Sequence, residues 1–532
     1  VTDSKVLTGS SSYLLLPILL AAAVLRLDGL RNRGLVYWDE GKFALEGIRL
    51  LSVLRAFPAI GATSIAGKAV GTAKPMHALF IAAAYQLGGV HDSAPLFLDA
   101  SASIVGVAVL YLFTTDLFNR RVGLVAATLL AVSGYDLVYA RSALSESDAT
   151  LLYLVSVWLW WRAFYRTEGA TATRLMLASG VALGAAFTTN YRISVYACPL
   201  AVFAILATIR SKEGPRRAYL TFIGGVATLM LPILWECIGL FARSHGVVLF
   251  RSEITNRPTT YWSEVVYQIH GGKQAAFRFD PLLYLRWYVI RQGWLMSILT
   301  VFGIVSCILR RTLAHRLTLS LVVAPFALFT FAAFIVPRNL DAMLPMCSIL
   351  AALGLIDCLD AVVPRAAFGA SLIVTTISIA IVCASLAVSL LTVRSGFVRA
   401  ALALQRVRTN DAIIDDEVME FYLRDSGVGC DGQRLPNHIG GLRADVASGA
   451  RFAFVTSTSH VAAAYLAHHA PLIARFHILG NAYTAEDLIS SENGLAPTTG
   501  GQEWISMYSL VHLRVPTTGR LHHVTCVLDR VV

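Results

Sequence analysis

Two adjacent carboxylates, Asp39 and Glu40, follow an aromatic pair, Tyr37 and Trp38, just beyond the first long apolar run of a 532-residue chain. A carboxylate set where an apolar slab meets water is hydrated on one side and desolvated on the other. That raises its proton affinity and suits it to act as a general base. Taken alone, the pair reads more readily as a solvated loop motif. What gives it company is a set of cations in short, otherwise apolar turns: Lys74, followed by Pro75, then Arg141, Arg192 and Arg338. Charged groups held near an apolar slab are costly and tend to mark function, although each singly could be snorkelling to headgroups. Together they point to an anionic ligand, and a phosphate at the membrane surface is the economical choice. Asp148 adds a third acid where another apolar run begins, and there capping of a helix competes with catalysis as its role. His77 and, in a long loop, His270 join Tyr37 and Trp38 as candidates to contact substrate. His245 and His270 are too far apart and too little accompanied to read as a metal site. Asp99, Glu236 and Asp357 lie near the ends of apolar runs and read as interfacial, with no role assigned.

The elements that must position these residues are membrane helices. The chain is 56% hydrophobic and 14% charged, more apolar surface than one soluble core can bury. Its formal charge of +11 is distributed in short basic clusters between apolar runs, a topogenic pattern that argues against a nucleic-acid partner. Residues 8–25 read as a retained first helix. Further spans are expected at 97–117, 122–140, 149–165, 174–190, 193–210, 218–242, 285–309, 317–336, 340–360 and 367–393, for about eleven in all. Residues 78–87 are too short to cross and read as an interfacial or re-entrant helix.

With this count the basic clusters, from Arg120 and Arg121 to Arg365, fall on one side. A first external loop at 28–95, the arginine-bearing turns and the tail then fall on the other. The fold expected is an α-helical polytopic membrane protein over 1–393, with a small extracytoplasmic α/β domain at 394–532. Cys430 and Cys526, both in that tail, could pair in an oxidising compartment, whereas the other six cysteines lie in or beside apolar runs. Walker loops, dinucleotide fingerprints and serine elbows are lacking, so ATP, NAD and covalent serine chemistry have no support.

Four stretches carry a family resemblance: YWDEGKFALEGIRLL (37–51), AKPMHALFIAAAYQLGG (73–89), YARSALSESDATLLY (139–153) and VPRNLDAMLP (336–345). In order and spacing they resemble the GT-C membrane glycosyltransferases, in the branch holding protein O-mannosyltransferases and lipid A aminoarabinose transferases. The likeness runs over about residues 10–360 and is absent from the tail. It implies a polyprenyl-phosphate sugar donor, transfer with inversion, a glycan, lipid or protein acceptor, and a site facing the periplasm or cell exterior. It also implies Asp39 as base or acceptor-binding carboxylate and Lys74 as a contact to the donor phosphate. Aminoarabinose transferases tend to carry a metal-holding acid before Lys-Pro, but here that position is Ala73, so the resemblance leaves a divalent metal open. A lipid A modifying transferase is the narrower alternative. A lipid-linked sugar transporter or flippase is the alternative from another class, but the two halves of the chain do not match as transporter repeats would.

Overall fold

The computed structural model describes residues 12–36, 38–56, 74–210, 240, 244, 281–330 and 337–407, and in the tail 412–414, 417–423, 439–447, 451–455, 461–477, 504–511 and 513. The expected span at 218–242, His245, His270, Tyr37, Cys430 and Cys526 lie outside the described residues.

The first described helix is α1 (Leu15–Leu27), followed by α2 (Trp38–Ala56). The latter lies within the segment 28–95 that was expected to be a first external loop. Its first turn carries Asp39 and Glu40, acids that complement the positive end of a helix dipole. Helix α3 (Pro75–Gly88) starts at Lys74 with proline in its first position, where a missing N–H and a fixed φ cost nothing. At 14 residues it is short of a full span, as the apolar run predicts.

Helices α4 (Ser93–Leu117), α5 (Arg120–Ala131), α6 (Gly134–Ala140), α7 (Glu146–Tyr165), α8 (Gly169–Thr189) and α9 (Ile193–Arg210) follow. The run read as one span over 122–140 is bent by 60° between α5 and α6. Ser133 causes the break: its Oγ accepts from the Asp136 N–H at 3.1 Å and restarts the helix. Likewise the run at 285–309 divides into α10 (Pro281–Gln292) and α11 (Trp294–Arg310) at Gly293, whose φ of 83° only glycine adopts without strain. Helix α12 (Leu313–Thr330), a 3₁₀ turn (Pro337–Met343), α13 (Leu344–Val362) and α14 (Arg365–Leu391) complete this part.

Among the described residues five helices are long and apolar enough to cross a membrane, or six if the bent pair α5–α6 is one span. The chain is a multi-pass membrane protein.

The chain divides into two compact units. The first holds the chain to Arg33 and Phe43–Thr392, the helices just described. The second combines Gly34–Lys42 with the chain from Val393 onward, apart from Ser490–Ala496. It contains α15 (Gly396–Val407), β1 (Ala412–Ile414), α16 (Glu417–Leu423), α17 (Ile439–Ala447), β2 (Phe452–Val455), α18 (Val461–His469), β3 (Leu472–His477) and β4 (Trp504–Ser509). The strands form one sheet in the order β1-β2-β4-β3, parallel at β1–β2 and antiparallel elsewhere. Leu442, Ala453, Val455, Tyr465, Leu466 and Leu510 form a buried cluster there.

The early segment is stitched to this unit by its backbone. The Leu35 N–H donates to the Tyr422 hydroxyl at 2.8 Å, and the Ser395 hydroxyl donates to the Leu35 carbonyl at 2.5 Å. Gly34, at φ 71°, has Ser395 and Tyr422 so close that a side chain would collide with both.

Candidate functional site

Asp39 and Glu40 are both buried, at 4% and 0% exposure. Glu40 Oε2 accepts from the Val36 N–H at 2.6 Å, reaching back over the start of α2 as an acid in a first helical turn does. Trp38 opens that helix, and its side chain lies outside the described residues.

In the helical unit, acids and cations gather at the beginnings of α3, α7 and α9 and at the 3₁₀ turn. Glu146 is the hub. Its Oε1 accepts from Arg192 Nη1 at 3.2 Å and from Asn190 Nδ2 at 3.2 Å, and lies 4.0 Å from Arg338 Nε. The two expected arginines therefore meet on one carboxylate that is 2% exposed. The turn bearing Arg338 is held by neighbours on several helices. The Tyr135 hydroxyl donates to the Pro337 carbonyl at 2.7 Å, Tyr196 donates to the Asn339 carbonyl, and Asn339 Nδ2 donates to Tyr284 at 2.8 Å. Thr150 donates to Asp341 Oδ2 at 2.7 Å.

Lys74 and His77 lie one helical turn apart. The Lys74 ammonium is 4.5 Å from the centroid of the Phe43 ring, and His77 meets the same ring edge-on at 5.2 Å. His77 Nδ1 is 2.9 Å from Asp148 Oδ2. Asp148 thus makes a side-chain partnership across helices, and no cap hydrogen bond is made by the residue at the head of α7, Ser145. Asp99, two turns into α4, completes a group: ligand atoms of His77, Asp99 and Asp148 lie within 4.8 Å of one another, and all three residues are buried.

Arg141 is differently employed. Its Nη1 donates to the carbonyls of Leu25, Arg26 and Asp28 at 3.1, 3.1 and 2.9 Å, closing the open end of α1.

Sequence reasoning gave no role to Asp99, took Glu146 only as a further acid of the turn before Asp148, and assigned nothing to Asn190, Thr150 and Asp341. The available signal was physical: an ionisable residue inside an apolar run is functional by default, and Asp99 meets that description. Glu146 shares a helical turn with Asp148, and that doubling of acids was its mark.

Over residues 72–235 the chain matches the family model described as dolichyl-phosphate-mannose-protein mannosyltransferase. A search of curated protein sequences finds no match. Among solved structures, ArnT from Cupriavidus metallidurans in the apo state superposes with a TM-score of 0.62 at 14% identity, covering 94% of this chain and 98% of that one. The same enzyme bound to undecaprenyl phosphate gives 0.62 at 15%, covering 94% and 99%. The archaeal oligosaccharyltransferase AglB from Archaeoglobus fulgidus gives 0.58 at 11%, covering 83% and 69%. Over residues 72–235 the chain is thus similar in sequence to the protein mannosyltransferase family, and over most of its length its fold is like that of ArnT and AglB.

Proposed function

We propose that the chain transfers a hexosyl or pentosyl group, with inversion, from a polyprenyl-phosphate donor to an extracytoplasmic glycan, lipid or protein. The observation that carries this reading is the convergence of Arg192 and Arg338 on the buried Glu146. A carboxylate that orients two guanidinium groups fixes their planes, and fixed guanidinium planes suit a phosphate. ArnT has been solved with undecaprenyl phosphate, and AglB with a dolichol-phosphate and an inhibitory peptide. From those ligands the proposal takes its donor class, a lipid phosphate.

The reaction makes two demands. An acceptor hydroxyl attacks the anomeric carbon and its proton passes to a carboxylate, the role assigned to Asp39 with Glu40 beside it. The bond from that carbon to the phosphate oxygen breaks, and the electron pair leaves with the lipid phosphate. Positive groups that need no reorganisation stabilise the departing charge. Lys74, Arg192 and Arg338 are assigned there, with Arg141 as the fourth cation of the set. His77, Trp38, Tyr37 and His270 are assigned to the substrates, and Asp148 acts through His77. The reading extends to about eleven spans, an inner-membrane location, and a periplasmic or external side that holds both the site and the α/β domain.

The test uses membranes carrying the full chain, a labelled polyprenyl-phosphate sugar pool and an acceptor extract. Wild type is expected to label acceptor, and Asp39→Asn to lose at least a hundredfold in rate, or about 3 kcal/mol of barrier. Undiminished transfer by Asp39→Asn would remove Asp39 from the chemistry. Donor that crosses the bilayer without being consumed would replace the transferase reading with that of a flippase.

A further inference from the structure

Three buried tyrosines converge on the two residues that flank Arg338. The Tyr135 hydroxyl donates to the Pro337 carbonyl at 2.7 Å, Tyr196 donates to the Asn339 carbonyl, and Asn339 Nδ2 donates to the Tyr284 hydroxyl at 2.8 Å. The tyrosines come from α6, α9 and α10, and each stands in the first turn of its helix. Tyr135 and Tyr284 are fully buried and Tyr196 is 2% exposed, whereas the Arg338 side chain keeps 13% of its surface open. A second tier steadies the first. The hydroxyl of Tyr153, on the helix that carries Glu146, donates to the Tyr196 carbonyl at 3.2 Å, and the two rings meet at 5.6 Å.

The seven residues of the 3₁₀ turn, Pro337–Met343, exceed the roughly three or four that the poorer hydrogen bonds of such a turn usually sustain. A carbonyl has two lone pairs, so one already used within the turn still accepts a phenol. The phenol is itself a costly group to bury unpaired, which makes the pairing favourable on both sides. Glu146 acts on Arg338 from the other end. Its Oε1 lies 4.0 Å from Nε, close enough for charge attraction and too far for a hydrogen bond. A carboxylate at that distance draws the guanidinium without setting the backbone from which it swings, and any tilt of the turn is magnified along the arginine side chain. We propose that Tyr135, Tyr196 and Tyr284 are positioning residues, which fix the backbone on either side of Arg338 and so aim its guanidinium at the donor phosphate. The inference rests on the donor reading given above and adds to it the groups that set one phosphate ligand in place before the lipid arrives. An arginine aimed in advance loses less on binding than one that the ligand must order.

The test measures lipid binding and not turnover. Full-length protein purified in detergent is titrated with radiolabelled undecaprenyl phosphate, and its melting temperature is followed alongside. Tyr135→Phe, Tyr196→Phe and Tyr284→Phe each keep the ring and remove one hydroxyl. Each is expected to weaken binding about threefold or more, with a melting temperature within about 4 °C of wild type. Arg338→Ala is expected to weaken binding about tenfold or more. Added to Arg338→Ala, the tyrosine changes are expected to weaken it no further, because a positioning residue has nothing left to position. A merely structural role would lower binding by the same factor in both backgrounds, and that result overturns the proposal. If one phenylalanine variant does not fold, the other two decide. Arg338→Ala weakened beside phenylalanine variants that bind as tightly as wild type leaves the donor reading standing and removes the tyrosines. An Arg338→Ala protein that binds as tightly as wild type takes Arg338 away from the phosphate, and its donor assignment and the tyrosine role fall together.

Discussion

Two buried charge clusters in the helical unit differ in how completely they are satisfied. Around Arg26, on the last turn of α1, nothing is wanting. Its Nε donates to Ser103 at 2.7 Å, Nη1 to the carbonyls of Ala22 and Ala131 at 3.3 and 2.8 Å, and Nη2 to the Leu130 carbonyl and Asp136 at 3.2 and 2.5 Å. All five N–H groups of the guanidinium are placed. Ser103 in turn donates to Asp136 at 2.7 Å.

Around Glu146 and Asp148 the accounting is incomplete. His77 Nε2, Ser147 Oγ and Asp341 Oδ1 are buried without a hydrogen-bond partner among the described residues. A small cavity lined by Ser103, Asp136, Ser147 and Thr150 separates the two clusters. Saturated polar networks specify a fold, whereas atoms left over in a buried network call for a water, an ion or a substrate. The difference separates a saturated structural rivet from a candidate site with polar atoms left over, although both are buried and both are charged.

The largest effect should come from breaking the saturated cluster. Arg26→Met leaves Asp136 buried without its cation, at a cost of about 3–5 kcal/mol. Folded, monodisperse protein in detergent should fall sharply, and the double variant with Asp136→Leu should recover much of it. An Arg26→Met protein as stable as wild type would end the contrast. Asp148→Asn, in the unsaturated cluster, should do the opposite. Its melting temperature should move by less than about 3 °C while kcat/KM falls about a hundredfold or more. Next, Glu146→Gln should free Arg192 and Arg338 to splay and raise the KM for donor about tenfold with a smaller change in kcat, which varying donor in the transfer assay would resolve. The smallest effect is expected from Thr150→Val. Loss of its bond to Asp341 should cost about 1 kcal/mol, seen as a fall of about 2–4 °C in melting temperature.

What could be read from the sequence followed the range of the physics. Lys74 before Pro75 announced the start of α3 because proline's preference for a first helical position is local. The arginines at 192 and 338 stood out because charge in an apolar turn is expensive wherever it occurs. Their meeting on Glu146 depends on contacts 46 residues and more away, which no local pattern encodes. For the same reason Arg141 resembled the other external cations. Its partners are carbonyls of α1, more than a hundred residues earlier, and a carbonyl has no side-chain letter to read. The bend at Ser133 and the break at Gly293 were written locally but hidden by hydropathy, which averages across a single serine or glycine. Least legible was the segment Gly34–Lys42, because its attachment to Ser395 and Tyr422 is made through the Leu35 backbone.

One contact elsewhere in the bundle bears on how the arginine-bearing turn can move. Helices α11 and α13 approach so closely that a methyl group on Gly303 would overlap the Leu350 carbonyl, and one on Gly354 would overlap that of Leu299. Two helices touching backbone to backbone at two levels behave as a single beam, with no side-chain layer to shear. The 3₁₀ turn with Arg338 is the tip of that beam. Arg338 is therefore carried next to one of the most tightly joined helix pairs of the unit, and in the transfer proposed above it would be the group that holds still.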